Sequence, residues 1–184
     1  VGGFGSIYSN YQLLQITPSI AYKITPLFSV GLGFNLDYQS LAVNPWPATP
    51  PNQSGYPTGS QAATSWGQGF TVGATYQALD NLRVGVSVKS PQWFNHLSWN
   101  SQYPNGDPTS FNYNLNYPLI VGGGLSYEPI KPLLIGLDLK WINYSGTQGY
   151  QQKGFANSPS GPYVQGFGWT DIFAVALGGQ YKLD

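Results

Sequence analysis

Between Trp66 and Lys89 the chain alternates in character from residue to residue, and this alternation restricts the fold more than any other feature. Trp66, Gln68, Phe70, Val72, Ala74 and Tyr76 fall in one phase, with Gly67, Gly69, Thr71, Gly73, Thr75 and Gln77 in the other; this is the period of a β-strand. After Leu79-Asp80-Asn81 the pattern restarts, with Leu82, Val84, Val86 and Val88 against Arg83, Gly85, Ser87 and Lys89. Two such runs joined by a short turn form a hairpin. One face is apolar. The other is built of small side chains with an occasional charge, which suits the wall of a water-filled lumen, and the apolar face then meets lipid.

The rest of the chain must supply enough apolar strand faces for that reading. It does so while carrying few charges: 8% of the residues, against about 25% in soluble domains. Aromatic residues make up 16%, and 24 Gly and 15 Pro leave little room for helices. A transmembrane helix is ruled out because no run of 18 apolar residues exists. Net charge is zero, with no basic cluster, so the electrostatic footprint of nucleic-acid binding is missing. Zero Cys removes disulfides, thiolate catalysis and cysteine-held metals.

The same two-faced pattern predicts seven strands, near 12–24, 27–39, 66–78, 82–99, 111–127, 133–144 and 169–183. Pro18 interrupts the first of them. Short turns near 24–26, 79–81 and 128–132 alternate with long connections at 40–65, 100–110 and 145–168. Outer-membrane barrels alternate in this way because their periplasmic turns are tight and their extracellular loops long. Phe28 and Tyr38, Trp66 and Tyr76, and Tyr117 and Tyr127 are each ten residues apart on the apolar phase. At roughly 3.3 Å per residue and a tilt of about 40°, ten residues rise about 25 Å, the height of the apolar band between two aromatic girdles. The predicted class is all-β, a single partial domain over 1–184: an antiparallel transmembrane β-barrel of the outer-membrane type, with membrane lipid as a partner.

Charged residues cluster in the small-residue phase: Lys23, Asp37, Arg83, Lys89, Asp138, Lys140 and Lys182. They either solvate a lumen and pair across strands or guide a substrate, and Arg83, Lys89 and Lys140 are the candidates for guidance. His96 is the only histidine, so neither a metal site nor a catalytic triad is expected. No cofactor and no enzymatic activity are expected. Gly67-x-Gly69 and Gly122-Gly123-Gly124 sit inside strands with no helix after them, and therefore thin the inner wall rather than cradle phosphate.

The segments Trp66-Gly67-Gln68-Gly69-Phe70 and Leu82 to Pro91, together with Ser29 to Tyr38, Leu115 to Tyr127, Gly136 to Ser145 and Gly168 to Tyr181, resemble the FadL/TodX family of outer-membrane transport proteins. The resemblance implies a fourteen-stranded barrel of the bacterial outer membrane, plugged by an N-terminal hatch, that admits long-chain fatty acids or other hydrophobic molecules by passive diffusion. It places this chain among the middle and later strands, with seven of the fourteen visible and further strands or neighbouring chains needed to close the sheet. It also assigns the 40–65 loop to the groove where substrate lands, with Trp46 and Tyr56 as candidate contacts; as interfacial anchors they would serve equally. Just beyond Tyr38, where a carboxylate-binding cation would serve, stand Gln39, Ser40 and Leu41, so hydrocarbons and aromatics are as open as fatty acids. A general porin or structural barrel is the alternative, and a soluble ligand-binding β-sandwich is a more distant one.

Overall fold

The structure, a computed structural model, describes residues 6–151 and 154–183. These residues form thirteen strands and no helix. In chain order the strands are β1 (Tyr8–Ile16), β2 (Ser19–Thr25), β3 (Phe28–Asn44), β4 (Gly59–Leu79), β5 (Leu82–Lys89), β6 (Trp93–Phe94), β7 (Leu97–Gln102), β8 (Pro108–Tyr113), β9 (Leu119–Ile130), β10 (Leu133–Asn143), β11 (Phe155–Ser158), β12 (Gly161–Val164) and β13 (Ile172–Tyr181). One antiparallel sheet runs β1-β3-β4-β5-β9-β10-β13, with β2 continuing along β3 and β6 along β4. Its path ends at β1 on one side and β13 on the other. β7 with β8, and β11 with β12, form separate hairpins at the end where the long connections lie.

Burial along the sheet is the reverse of that in a soluble protein. Phe34 and Leu36 are 46% and 44% exposed, yet Asn35 and Asp37 beside them are 1% and 0% exposed. Leu32, Val72, Val86, Leu125, Val175 and Leu177 stand outward in the same way. An exposed apolar surface of this extent needs a lipid partner, and a closed sheet satisfies its backbone groups there. The aromatic spacing also becomes geometry: Tyr38 lies opposite Trp66 and Phe28 opposite Tyr76. At the upper level the Tyr38 and Trp66 rings meet edge to face at 5.0 Å.

The strand boundaries differ from expectation where the chain leaves the membrane. β3 and β4 have 17 and 21 residues and pair without interruption from Phe28↔Tyr76 to Leu41↔Ala63, after which a bulge precedes Val43↔Gly59. The two ends of the 40–65 connection, 40–44 and 59–65, are therefore strand, because apolar contrast fades above the Tyr38–Trp66 girdle although the backbone ladder continues. Thr17-Pro18 divides the first expected strand into β1 and β2. Proline lacks the ladder N–H, but its carbonyl still accepts from Phe34 N at 3.0 Å.

The expected 82–99 strand ends at Lys89. Ser90 satisfies the wall instead, its N–H donating to Phe70 O at 2.8 Å while its Oγ accepts from Phe70 N at 2.9 Å. Past Pro91 the register against β4 shifts by one, from Thr71↔Lys89 to Gln68↔Trp93. The shift turns Gln92 and Phe94 onto Gly69 and Gly67, where any Cβ would collide with them. This is the close approach those two glycines permit. The 100–110 connection belongs mostly to the β7–β8 hairpin, and 145–168 contains β11 and β12. Tyr117, expected in the outer girdle, has its ring 4.6 Å from Lys89 Nζ, because 114–118 leaves the regular ladder and reverses its phase.

Candidate functional site

Along β3, from the short-turn end toward the loops, the inner-face residues read Ser29, Gly31, Gly33, Asn35, Asp37, Gln39 and Leu41. This order divides the concave face into three levels: small residues below, neutral and charged polar residues in the middle, and apolar packing above.

The upper level is an aromatic core under the loops. Leu41, Trp46, Ala63, Leu97, Trp99, Leu115 and Tyr150 are its buried members. The β7–β8 hairpin supplies two of these, Leu97 and Trp99, which pair with Tyr113 and Phe111 on one face. Trp46 is the hub: its ring lies 4.7 Å from Trp99, 5.3 Å from Phe111 with nearly parallel planes, and 5.3 Å from Tyr113 edge on. From Tyr113 the rings continue to Phe167 at 6.5 Å, then to Tyr150 at 5.5 Å and Trp169 at 5.7 Å. Trp46 is only 4% exposed, whereas Phe167 and Trp169 present 52% and 48% of their surfaces. Burial pushes the Tyr113 phenol up to about 12 and raises Tyr150 as well. Tyr56 closes the roof differently, its hydroxyl donating to Pro162 O on β12 at 2.5 Å.

The middle level is a hydrogen-bonded layer reaching from β1 to β5. Gln15 Nε2 donates to Asp37 Oδ1 at 2.5 Å, and Lys89 Nζ donates to Gln15 Oε1 at 2.8 Å. Gln92 Oε1 lies 3.5 Å from the same Gln15 amide, and Gln92 Nε2 donates to Ser90 O at 2.6 Å. Below, Thr17 Oγ1 donates to Asn35 Oδ1 at 2.9 Å, and Asn35 Nδ2 to Thr71 Oγ1 at 3.2 Å. Above, Gln39 Nε2 donates to Ser65 Oγ at 2.9 Å and to Leu115 O at 3.0 Å. Gln15, Asn35, Asp37, Gln39 and Lys89 lie in the inward phase of their strands, whereas Thr17 and Gln92 reach the layer from between strands.

The lower level is a concavity of about 920 Å³ spanning β3 to β13, with a floor of glycine, serine and alanine. Arg83, Asp138 and Lys140 line it. Arg83 Nε donates to Gln77 Oε1 at 3.0 Å beside the turn. The structure thus separates the five candidate residues: Trp46 and Tyr56 at the roof, Lys89 in the middle, Arg83 and Lys140 below. Gln15, Asn35 and Gln92 were not singled out from the sequence, since neutral polar residues in an inward phase read as plain lumen wall. Tyr150 and Phe167 lay in the 145–168 connection, read as irregular, and Trp99 at the end of the expected 82–99 strand.

One loop tie rests on a carboxylate. Asp171, before β13, accepts from Ser145 N at 2.9 Å and from Asn143 Nδ2 at 3.4 Å. The Ser145 backbone N–H is the main cause that holds its carboxyl below the usual carboxylate range. A depressed folded pKa contributes stability above the unfolded value and loses it as pH falls through the folded one. The protection of the Ser145 amide in the full-length protein, its exchange rate taken relative to the intrinsic rate at each pH, is therefore expected to be high at neutral pH and to fall on acidification, and Asp171→Asn is expected to flatten that fall.

The fold and the layered inner face define a wall of an outer-membrane β-barrel with a polar mid-lumen and an aromatic mouth. The family described as outer membrane protein transport protein (OMPP1/FadL/TodX) matches residues 1–184, and the chain belongs to it, a family of the bacterial outer membrane. Among solved structures it is similar to the toluene transporter TbuX of Ralstonia pickettii, at 18% identity and a TM-score of 0.73, covering 97% of this chain and 54% of that one. A FadL homologue of Pseudomonas aeruginosa matches at 18% identity and a TM-score of 0.70, covering 96% of this chain and 47% of that one. The toluene transporter TodX of Pseudomonas putida matches at 15% identity and a TM-score of 0.66, covering 96% and 52%. The chain spans about half the length of these structures. No curated protein matches it.

Proposed function

We propose that this chain forms about half the wall of a channel through which hydrophobic compounds, hydrocarbons or long-chain fatty acids, cross the outer membrane by passive diffusion. The sheet edges at β1 and β13 then pair with further strands, because an open edge is not tolerated in lipid. The observation that carries the reading is the uncharged aromatic core above a wall whose apolar side faces outward. Its exposed rings, Phe167 and Trp169, offer an apolar solute a surface that water covers poorly, at about 25 cal/mol per Å² buried. In this reading Trp46 holds the mouth together and Tyr56 ties it to the β11–β12 hairpin. Lys89, and below it Arg83 and Lys140, then line the path.

The names of TbuX and TodX, toluene transporters, agree with this substrate class. The test is flux. Full-length protein in liposomes is expected to speed toluene entry while leaving the permeability to a small sugar close to that of protein-free vesicles. Equal acceleration of both solutes would mean a general porin, and acceleration of neither would remove the channel reading.

A further inference from the structure

Asp37 is fully buried in the middle level, and its carboxylate is hydrogen-bonded on one side only. Oδ1 accepts from Gln15 Nε2, whereas Oδ2 is buried without any partner. A buried carboxylate with an orphan oxygen is a poor choice for stability. An asparagine would keep the Gln15 bond through its own oxygen and leave no more groups unpaired than now. What aspartate supplies here that asparagine cannot is the negative charge. Gln15 bridges the carboxylate and Lys89. With Nε2 committed to Asp37, the amide must present Oε1 to Lys89, whose ammonium is held at 2.8 Å and sits over the Tyr117 ring.

We infer that Asp37 is a specificity-determining residue: held beside Lys89 by the bridging Gln15, its charge offsets that of the ammonium through space, so that the lumen wall beneath the aromatic mouth accepts uncharged apolar solutes and does not retain anionic ones. Lys89 is half-buried and on the inner face, with Nζ donors beyond the one given to Gln15. Left without Asp37, it becomes an uncompensated cation beside an aromatic ring, a site suited to an aromatic carboxylate. Asp37 acts on the solute through Lys89 and does not touch it. This inference rests on the proposed channel function and names a filter within it.

Two probes of one shape separate charge from fit: benzoate and benzyl alcohol, each measured by competition with a neutral fluorescent probe on the full-length protein in detergent. Asp37→Asn is expected to raise the ratio of benzoate to benzyl alcohol affinity on the order of tenfold at low salt, a size within reach of one half-buried unit charge. The gain is expected to shrink in high salt and to vanish in the Asp37→Asn, Lys89→Met double variant. An unchanged ratio in Asp37→Asn protein that keeps its folded, heat-modifiable gel mobility would overturn the filter. Gln15→Leu separates the charge from the bridge, since it removes the amide while leaving both charges; its ratio is expected to stay near that of the unaltered protein, and a rise as large as that of Asp37→Asn would overturn the charge as the cause. If benzyl alcohol does not bind the unaltered protein, the proposed function falls, and the filter with it; if it binds and only the ratio stays fixed, the filter falls alone.

Discussion

Arginine at Val72 or at Leu137 is expected to lower the stability of the folded full-length protein in a bilayer by about 2 to 4 kcal/mol, whereas arginine at Thr75 is expected to change it by less than about 1 kcal/mol. Val72 lies opposite Leu32 and Val88 in the ladder. It therefore falls between the Phe28–Tyr76 pair and the Tyr38–Trp66 pair, near the middle of the apolar band. Leu137 holds the same outward phase between Leu125 and Leu177, and Leu177 is 77% exposed. A guanidinium at either position has only hydrocarbon around it. Thr75 is one register step from Ala74 and Tyr76, but it faces the concavity, where an arginine finds water. Thr71 would be a poorer control, because Asn35 donates to its hydroxyl. Urea titration of protein refolded into phospholipid vesicles measures all three variants. Equal midpoints would remove the assignment of faces.

Truncation of Trp46 is the second large effect. Its ring is stacked among Trp99, Phe111 and Tyr113, and removing a buried indole from such packing costs about 3 to 5 kcal/mol. That loss falls on the loop cap and not on the ladder below Tyr38. Trp46→Ala protein is expected to keep the gel mobility of a folded barrel while protease cleaves within 45–58 and 154–171 faster than in the unaltered protein. If the cap captures solute, binding of a neutral hydrophobic probe also weakens, since the rings that Trp46 supports lose their fixed positions. Tyr56→Phe removes one hydroxyl bond to Pro162 and is expected to have a far smaller effect, about 1 kcal/mol. An unchanged probe dissociation constant in Trp46→Ala would detach the aromatic core from substrate capture and leave it as packing.

Several features were legible in the residues alone because they depend on a local period. The two faces of β3, β4, β5, β9, β10 and β13, the alternation of short and long connections, and the girdle pairs Phe28–Tyr76 and Tyr38–Trp66 all follow from which side of a pleat a residue occupies, and that is settled two residues at a time. The family followed from the order of such segments. The short turns were equally local: Thr25 Oγ1 accepts from Phe28 N at 3.0 Å, a bond the sequence itself brings within reach.

What the tertiary structure decided begins where the period fails or where partners are distant in the chain. Pro91 shifts the register by one residue, and that single step turns Gln92 and Phe94 inward, against an alternation that had placed this stretch in one continuous strand. Gln15, Asp37 and Lys89 are separated by 22 and 74 residues along the chain from Gln15. Asp37 and Lys89 read as inward charges and Gln15 as plain wall, and only the order β1-β3-β4-β5 brings Gln15 within hydrogen-bond reach of both. Trp46 carries no sign of burial in a segment rich in proline and glycine. It is buried because the β7–β8 hairpin folds Trp99, Phe111 and Tyr113 around it. Periodicity reports the face on which a side chain lies; which other side chains meet it there depends on strand order and register shifts, and these are set by long-range pairing.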